Sequence, residues 1–125
     1  MSHKRIVIVD DDQFVCQSFS ILLSDVAEVQ CFNSIESAKE YIQKSQDINL
    51  FILDYNIGND NGIKFFQNDI KPSYPDIPAF LVSGFIVTQL KSEEELQELR
   101  NDFVNIYEKP FDFMLIKEEV KKIFN

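Results

Sequence analysis

Three acids in a row, Asp10-Asp11-Asp12, directly follow the apolar run Arg5-Ile6-Val7-Ile8-Val9, and another acid, Asp54, directly follows Leu50-Phe51-Ile52-Leu53. Ser83 and Lys109 stand at the ends of two later β-rich segments. If the chain gathers these groups, their charges must be balanced. Two like charges about 4 Å apart repel by roughly 4 kcal/mol at an effective dielectric of about 20. Either a carboxyl retains its proton or a divalent cation sits among the oxygens. The single histidine, His3, and the two cysteines, Cys16 and Cys31, form no CxxC or Cys/His pattern, so a zinc site of that type is excluded. Oxygen-only ligands select a hard cation, and few protein ligands with retained waters suit Mg²⁺. A carboxylate beside Mg²⁺ can attack phosphorus and become an aspartyl-phosphate. A lysine and a hydroxyl opposite the metal would hold the other phosphoryl oxygens.

The elements that must position these groups alternate along the chain. Five strand-like runs are expected at Arg5–Val9, Glu28–Phe32, Leu50–Leu53, Ala79–Val82 and about Val104–Tyr107. Val15, Phe19, Leu22, Leu23 and Val26 recur at helical spacing after the first run, with Asp12 as a cap or first-turn acid. Asn33-Ser34-Ile35-Glu36 reads as a capping-box-like start, with an acid three residues after a polar cap, for a helix through Ala38, Tyr41 and Ile42. A turn-rich stretch, Gly58-Asn59-Asp60-Asn61-Gly62, precedes a short helix carrying Ile63, Phe65, Phe66 and Ile70. A fourth helix is expected near Ser92–Phe103 with Leu96 and Leu99 inward, and a last one is marked by Leu115, Val120, Ile123 and Phe124. Strands apolar on both faces, each followed by a helix, predict an α/β domain with a doubly wound parallel sheet. Such sheets bind ligands beyond the carboxyl ends of their strands, the edge where Asp10, Asp11, Asp54, Ser83 and Lys109 all fall.

Composition narrows the classes. The 125 residues fit one domain, and 45% hydrophobic with 26% charged residues is globular composition. Three glycines and four prolines leave no room for a flexible linker. A net charge of −9 argues against nucleic acid as a partner. No window approaches the roughly 18 continuous apolar residues of a membrane span, and the start has no signal-peptide pattern. Two thiols in such a chain suit a reducing cytosol, where they act as small core hydrophobes. The twelve phenylalanines are core filling, and Lys117-Glu118-Glu119 with Lys121-Lys122 reads as a solvated face with i,i+4 pairs.

Val9-Asp10-Asp11, Leu53-Asp54-Tyr55-Asn56, Ser83-Gly84 and Lys109-Pro110-Phe111, in this order, resemble the motifs of the receiver domain of two-component response regulators. The likeness spans essentially the whole chain. It implies a flavodoxin-like (βα)5 fold, strand order 2-1-3-4-5, with 1–125 as one chemotaxis-regulator-like receiver and no attached output domain. It implies that Asp54 is the phosphoacceptor and that Mg²⁺ is held by Asp10, Asp11, Asp54 and the Asn56 carbonyl, Asp10 mainly through water. Ser83 would bond a phosphoryl oxygen, Lys109 would pair with carboxylate or phosphate, and the Lys109-Pro110 peptide would be cis. The partners implied are a histidine kinase or histidine phosphotransfer protein as donor and a downstream protein as target, in the cytoplasm. Such a domain accepts a phosphoryl group without being a turnover enzyme. Two other readings stand beside it. Haloacid-dehalogenase-like phosphohydrolases also use an Asp after a parallel strand, but carry a second Asp where this chain has Asn56. A degenerate receiver acting only as a binding module would not need the acid pair, Asp54, Ser83 and Lys109 intact.

The chain departs from the family pattern in four places. Ile57-Gly58 replaces the usual Met-Pro, which is expected to loosen that loop. Ser83 to Lys109 spans 26 positions, roughly four more than is common, and the small pair before strand five is absent. Three residues before the lysine, where an aromatic switch residue is usual, stands Ile106; Tyr107 is one later and so on the opposite face, unless a bulge restores the register. Phe85, two after Ser83, is expected to shield an aspartyl-phosphate from water. Switching is therefore expected mainly in the segment Phe85–Phe103.

Overall fold

Strands with two apolar faces are stable only when both faces are covered, and the computed structural model shows that arrangement over the residues it describes, 3–44, 47–84 and 92–125. β1 (Arg5–Val9), β2 (Glu28–Phe32), β3 (Leu50–Asp54), β4 (Ala79–Ser83) and β5 (Asn105–Glu108) form one sheet in the order β2-β1-β3-β4-β5. Every neighbouring pair in it is parallel. β3 and β4 are buried at every position, while the edge strands β2 and β5 are half-buried. The helices are α1 (Gln13–Leu22), α2 (Ile35–Lys44), α3 (Gly62–Phe65), α4 (Glu93–Asp102) and α5 (Phe113–Phe124). This is the doubly wound α/β fold and strand order read from the sequence.

Alternation along the strands divides the interior into two cores. Val7, Val9, Phe51, Leu53, Ala79 and Leu81 point to one side and pack with Ala38 and Ile42 of α2, Phe65 of α3, and Leu96 and Leu99 of α4. Ile6, Ile8, Leu50, Ile52, Phe80 and Val82 point to the other, against Val15 and Phe19 of α1 and Ile116 and Val120 of α5. Each fully buried side chain of this size contributes roughly 1.5–3 kcal/mol. The two cores clamp the sheet and leave its carboxyl edge to the polar residues.

Local signals fix the helix starts. The Asp12 carboxylate accepts from the Phe14 N–H at 2.9 Å, Asn61 caps α3, and Asp112 accepts from the Met114 N–H. Ser92 and Glu95 form a reciprocal capping box at α4. At α2 the cap is one residue later than expected. Ser34 Oγ accepts from the Ser37 N–H, while the Asn33 amide turns away and donates to the Asp10 carbonyl at 3.1 Å. α3 passes directly into a π turn, Phe66–Ile70, closed by the Lys71 N–H on the Phe66 carbonyl. In α5, Leu115 is exposed and its neighbour Ile116 is buried, and the charge pairs are i,i+3 (Lys121–Glu118 and Lys122–Glu119), while Lys117 reaches Asp25. Among the described residues no helix is long and apolar enough to cross a membrane.

The cysteines differ from expectation. Cys16 in α1 and Cys31 in β2 are joined as a disulfide, with Cα atoms 5.8 Å apart. Their separation of 15 residues carries no sequence signature. The contact arises because α1 folds back over the face of β2 that carries Cys31. Alkylation of the protein unfolded under non-reducing conditions is expected to label no thiol, and two labelled thiols would show the cysteines to be independent core residues instead.

Candidate functional site

The carboxyl edge of the sheet brings the acids together because β1 and β3 are adjacent and in register, Val9 beside Leu53. Asp10 and Asp54 follow as the next residues and are buried, while Asp11 is exposed at the mouth. One carboxylate oxygen from each of Asp10, Asp11 and Asp54 lies within 4.8 Å of the others. β5 delivers the cation. The Lys109 N–H donates to the Ser83 carbonyl at 2.7 Å, which fixes the end of β5 against β4. Lys109 Nζ then donates to Asp54 Oδ2 at 2.9 Å and lies 3.1 Å from Asp10 Oδ2. Ser83 is fully buried at the end of β4. Asn56 is exposed two residues past Asp54, in the first arm of a small hairpin. The Lys109-Pro110 peptide is cis.

Backbone donors hold the acids. The Asp12 N–H donates to Asp10 Oδ1 at 2.9 Å, and the Gly58 N–H donates to Asp11 Oδ2 at 3.0 Å. Gly62 closes the loop after Asp54 by donating its N–H to the Tyr55 carbonyl at 2.8 Å. It passes so close that a Cβ at this position would overlap the Asp54 carbonyl. Glycine here is a steric requirement of the acid's position.

The charge balance is incomplete. One ammonium faces three carboxylates, two of them buried. Burial, reinforced by the Asp54 charge, pushes the Asp10 carboxyl up to about 6, against the opposing pull of the Asp12 N–H and Lys109. Burial lowers the Lys109 ammonium, but the hydrogen bond to Asp54 and the charges of Asp10 and Asp54 outweigh it, and its pKa is raised. Asp10 Oδ2 is buried without a hydrogen bond, and its ion pair is with the Lys109 ammonium, 3.1 Å away, which also serves Asp54. A buried anionic oxygen with no hydrogen bond, sharing its one ammonium with a second carboxylate and lying beside a third, is the donor set a hard divalent cation would satisfy. Mg²⁺ therefore fits these residues.

The remaining sequence expectations divide. Ile106 pairs with Leu81 and Tyr107 with Val82 in an unbroken register, so no bulge occurs. Ile106 packs into the core with α2, α3 and α4, while Tyr107 faces the other core, edge-on to Phe80 and accepting from Asn105 Nδ2 at 3.0 Å. Phe85 and the first part of the segment expected to switch lie outside the described residues. The loop at Gly58 is tied by its N–H to Asp11, where loosening was expected. The sequence reading also missed Asn33, whose amide supports the Asp10 carbonyl from the start of α2.

The raised Asp10 pKa has a consequence for stability without metal. A carboxyl that binds its proton more tightly when folded contributes most below about pH 4 and loses that contribution as pH rises through about 6. Asp10→Asn keeps an acceptor for the Asp12 N–H and removes the buried charge. In metal-free buffer at pH 7.5 it is expected to stabilise the protein by on the order of 1–3 kcal/mol, a rise of several degrees in Tm, with the difference shrinking toward pH 5. A wild type more stable than the variant at pH 7.5 would contradict this.

Comparison with known proteins agrees with this geometry. Residues 6–121 match the response regulator receiver domain family. A CheY-like response regulator receiver domain protein from Methanospirillum hungatei JF-1 superposes with a TM-score of 0.82 at 22% identity, covering 97% of this chain and 93% of that one. A response regulator receiver protein from Pseudomonas putida gives 0.82 at 21%, covering 98% of each chain. The BeF3-activated DrrB receiver domain gives 0.79 at 19%, covering 98% of each. At these identities the structural likeness establishes the fold. No curated protein matches the chain significantly. The match across nearly the whole chain, with acids, serine and lysine at one sheet edge, places this protein in the response regulator receiver domain family.

Proposed function

We propose that residues 1–125 work as one receiver whose Asp54 accepts a phosphoryl group from a phospho-histidine of a cytoplasmic histidine kinase or histidine phosphotransfer protein. An Asp54 carboxylate oxygen attacks phosphorus, a P–O bond forms, the P–N bond to imidazole breaks, and the imidazole leaves with the electron pair. The observation that carries this reading is the placement of Asp54 at the end of β3, buried, within 4.8 Å of two further carboxylates and 2.9 Å from Lys109 Nζ. Asp10, Asp11 and Asp54, with the Asn56 carbonyl, would hold Mg²⁺. When bound, Mg²⁺ would offset charge on the carboxylates and on the transferring group.

The chain's own groups do the rest. Lys109 keeps Asp54 oriented before transfer and then pairs with a phosphoryl oxygen, so that the charge lost at the carboxylate is met elsewhere in the same site. Ser83, at the end of the neighbouring strand, would bond another phosphoryl oxygen. Asn56 has no carboxylate to act as a second acid or base, so the product is held rather than turned over. Output then consists of a changed affinity for a protein target, because the modified edge lies where the ends of four strands, β1, β3, β4 and β5, meet.

Incubation with acetyl phosphate and Mg²⁺, read by intact mass, is expected to add one phosphoryl group to the wild type. Asp54→Asn is expected to take none, and Lys109→Ala to take less at the same time point. Labelling of Asp54→Asn at the wild-type level would overturn the assignment, and sustained release of phosphate from ordinary monoesters would favour a phosphohydrolase.

A further inference from the structure

The hairpin after Asp54 gives one acid of the cluster a support that its side-chain partners do not. Asn56–Ile57 pairs antiparallel with Asp60–Asn61, leaving Gly58 and Asn59 as a two-residue turn. Gly58 has φ +63°, and among the described residues no non-glycine has positive φ, so the turn bends at its first position, as in type II′. Ile57, the residue before it, is 2% exposed and packs in the core beneath the site. That buried anchor and the glycine's left-handed backbone aim the Gly58 N–H outward, and it meets Asp11 Oδ2 at 3.0 Å.

Asp11 needs such a partner. It is the exposed acid of the three, it faces Asp10 and Asp54 across less than 4.8 Å, and the Lys109 ion pairs go to the other two. An exposed carboxylate repelled by two neighbours would rotate into water unless a donor holds it. A proline at position 58, usual in the family this chain resembles, would have no N–H and could not adopt φ +63°.

We infer that the Gly58 backbone N–H is a positioning group that holds Asp11 in the convergent, metal-ready arrangement. This rests on the reading of the acids as a Mg²⁺ site. The N–H accounts for Asp11 joining the two carboxylates that Lys109 holds before any cation arrives, and it makes Mg²⁺ affinity in this chain depend on the turn at Gly58. Because the donor is backbone, any residue that tolerates φ > 0 and keeps its N–H can serve.

The test is Mg²⁺ titration by calorimetry of the wild type, Gly58→Pro, Gly58→Asn, Asp11→Ala and the Gly58→Pro/Asp11→Ala pair. A hydrogen bond to a charged group is worth enough to change a binding constant about tenfold. Gly58→Pro is expected to bind about tenfold more weakly. Gly58→Asn keeps the N–H, and although any side chain is strained at φ +63°, it is expected to bind clearly more tightly than Gly58→Pro. In the Asp11→Ala background, which has no side-chain acceptor for the Gly58 N–H, Gly58→Pro is expected to cost nothing further. A second readout leaves position 58 unchanged. The Gly58 amide proton is expected to move upfield and exchange faster in metal-free Asp11→Ala, which lacks the acceptor, than in metal-free wild type. An unaltered Gly58 amide would overturn the inference even if Gly58→Pro failed to fold. So would unchanged or tighter binding by Gly58→Pro, an equal loss in Gly58→Asn, or a further loss in the double variant. Failure of the wild type to bind Mg²⁺, with the amide behaving as expected, would instead overturn the metal reading on which the inference rests.

Discussion

The Lys109 ammonium against the carboxylates of Asp54 and Asp10 is the interaction on which the site depends. Two acids with side chains about 6% and 1% exposed cannot share a pocket as free anions, and one cation between them makes the arrangement tenable. That single contact draws on most of the fold. β1 and β3 must be adjacent to bring Asp10 beside Asp54, and β5 must lie two strands from β3 for Lys109 to reach back over β4. The strand order is therefore a condition of the chemistry. The compensation is also partial: burial still leaves Asp10 with a raised pKa and an oxygen without a hydrogen bond, which gives a cation something to complete.

Much of this was legible because it depends on strand periodicity and strand ends. Runs such as Ile6–Val9 and Leu50–Leu53 have no polar face, and burial on both sides leaves the parallel, two-layer-covered sheet as the consistent solution. Once the strands are parallel, the residue that terminates each one belongs to a common edge, and Asp10, Asp54, Ser83 and Lys109 need no further information to be grouped. Ile106 and Tyr107 were readable for the same reason: alternation assigns neighbouring residues to opposite faces, and the register with β4 is unbroken.

What the sequence hid depends on side chains and backbone groups distant in the chain. Asn33 looked like a helix cap because the local pattern allows it, yet Ser34 can cap equally well and frees Asn33 for the Asp10 carbonyl. The Cys16–Cys31 contact requires knowing how α1 crosses β2. Gly58 was read through what it lacks, the φ restriction of proline, and the N–H it possesses became informative only when Asp11 was seen opposite. In α5 the same charges pair at i,i+3 and with Asp25 because the helix packs with Ile116 and Val120 inward, which rotates Leu115 out.

The claim that the carboxyl edge is an incompletely balanced charge cluster awaiting a divalent cation can be tested directly by thermal unfolding with and without millimolar Mg²⁺ at constant ionic strength. A ligand that binds only the folded state raises Tm in proportion to the logarithm of its occupancy ratio. Mg²⁺ is expected to raise the Tm of the wild type and to leave Asp11→Asn and Asp54→Asn nearly unmoved. A wild-type Tm that does not respond to Mg²⁺, or a response that persists undiminished in both variants, would contradict the claim.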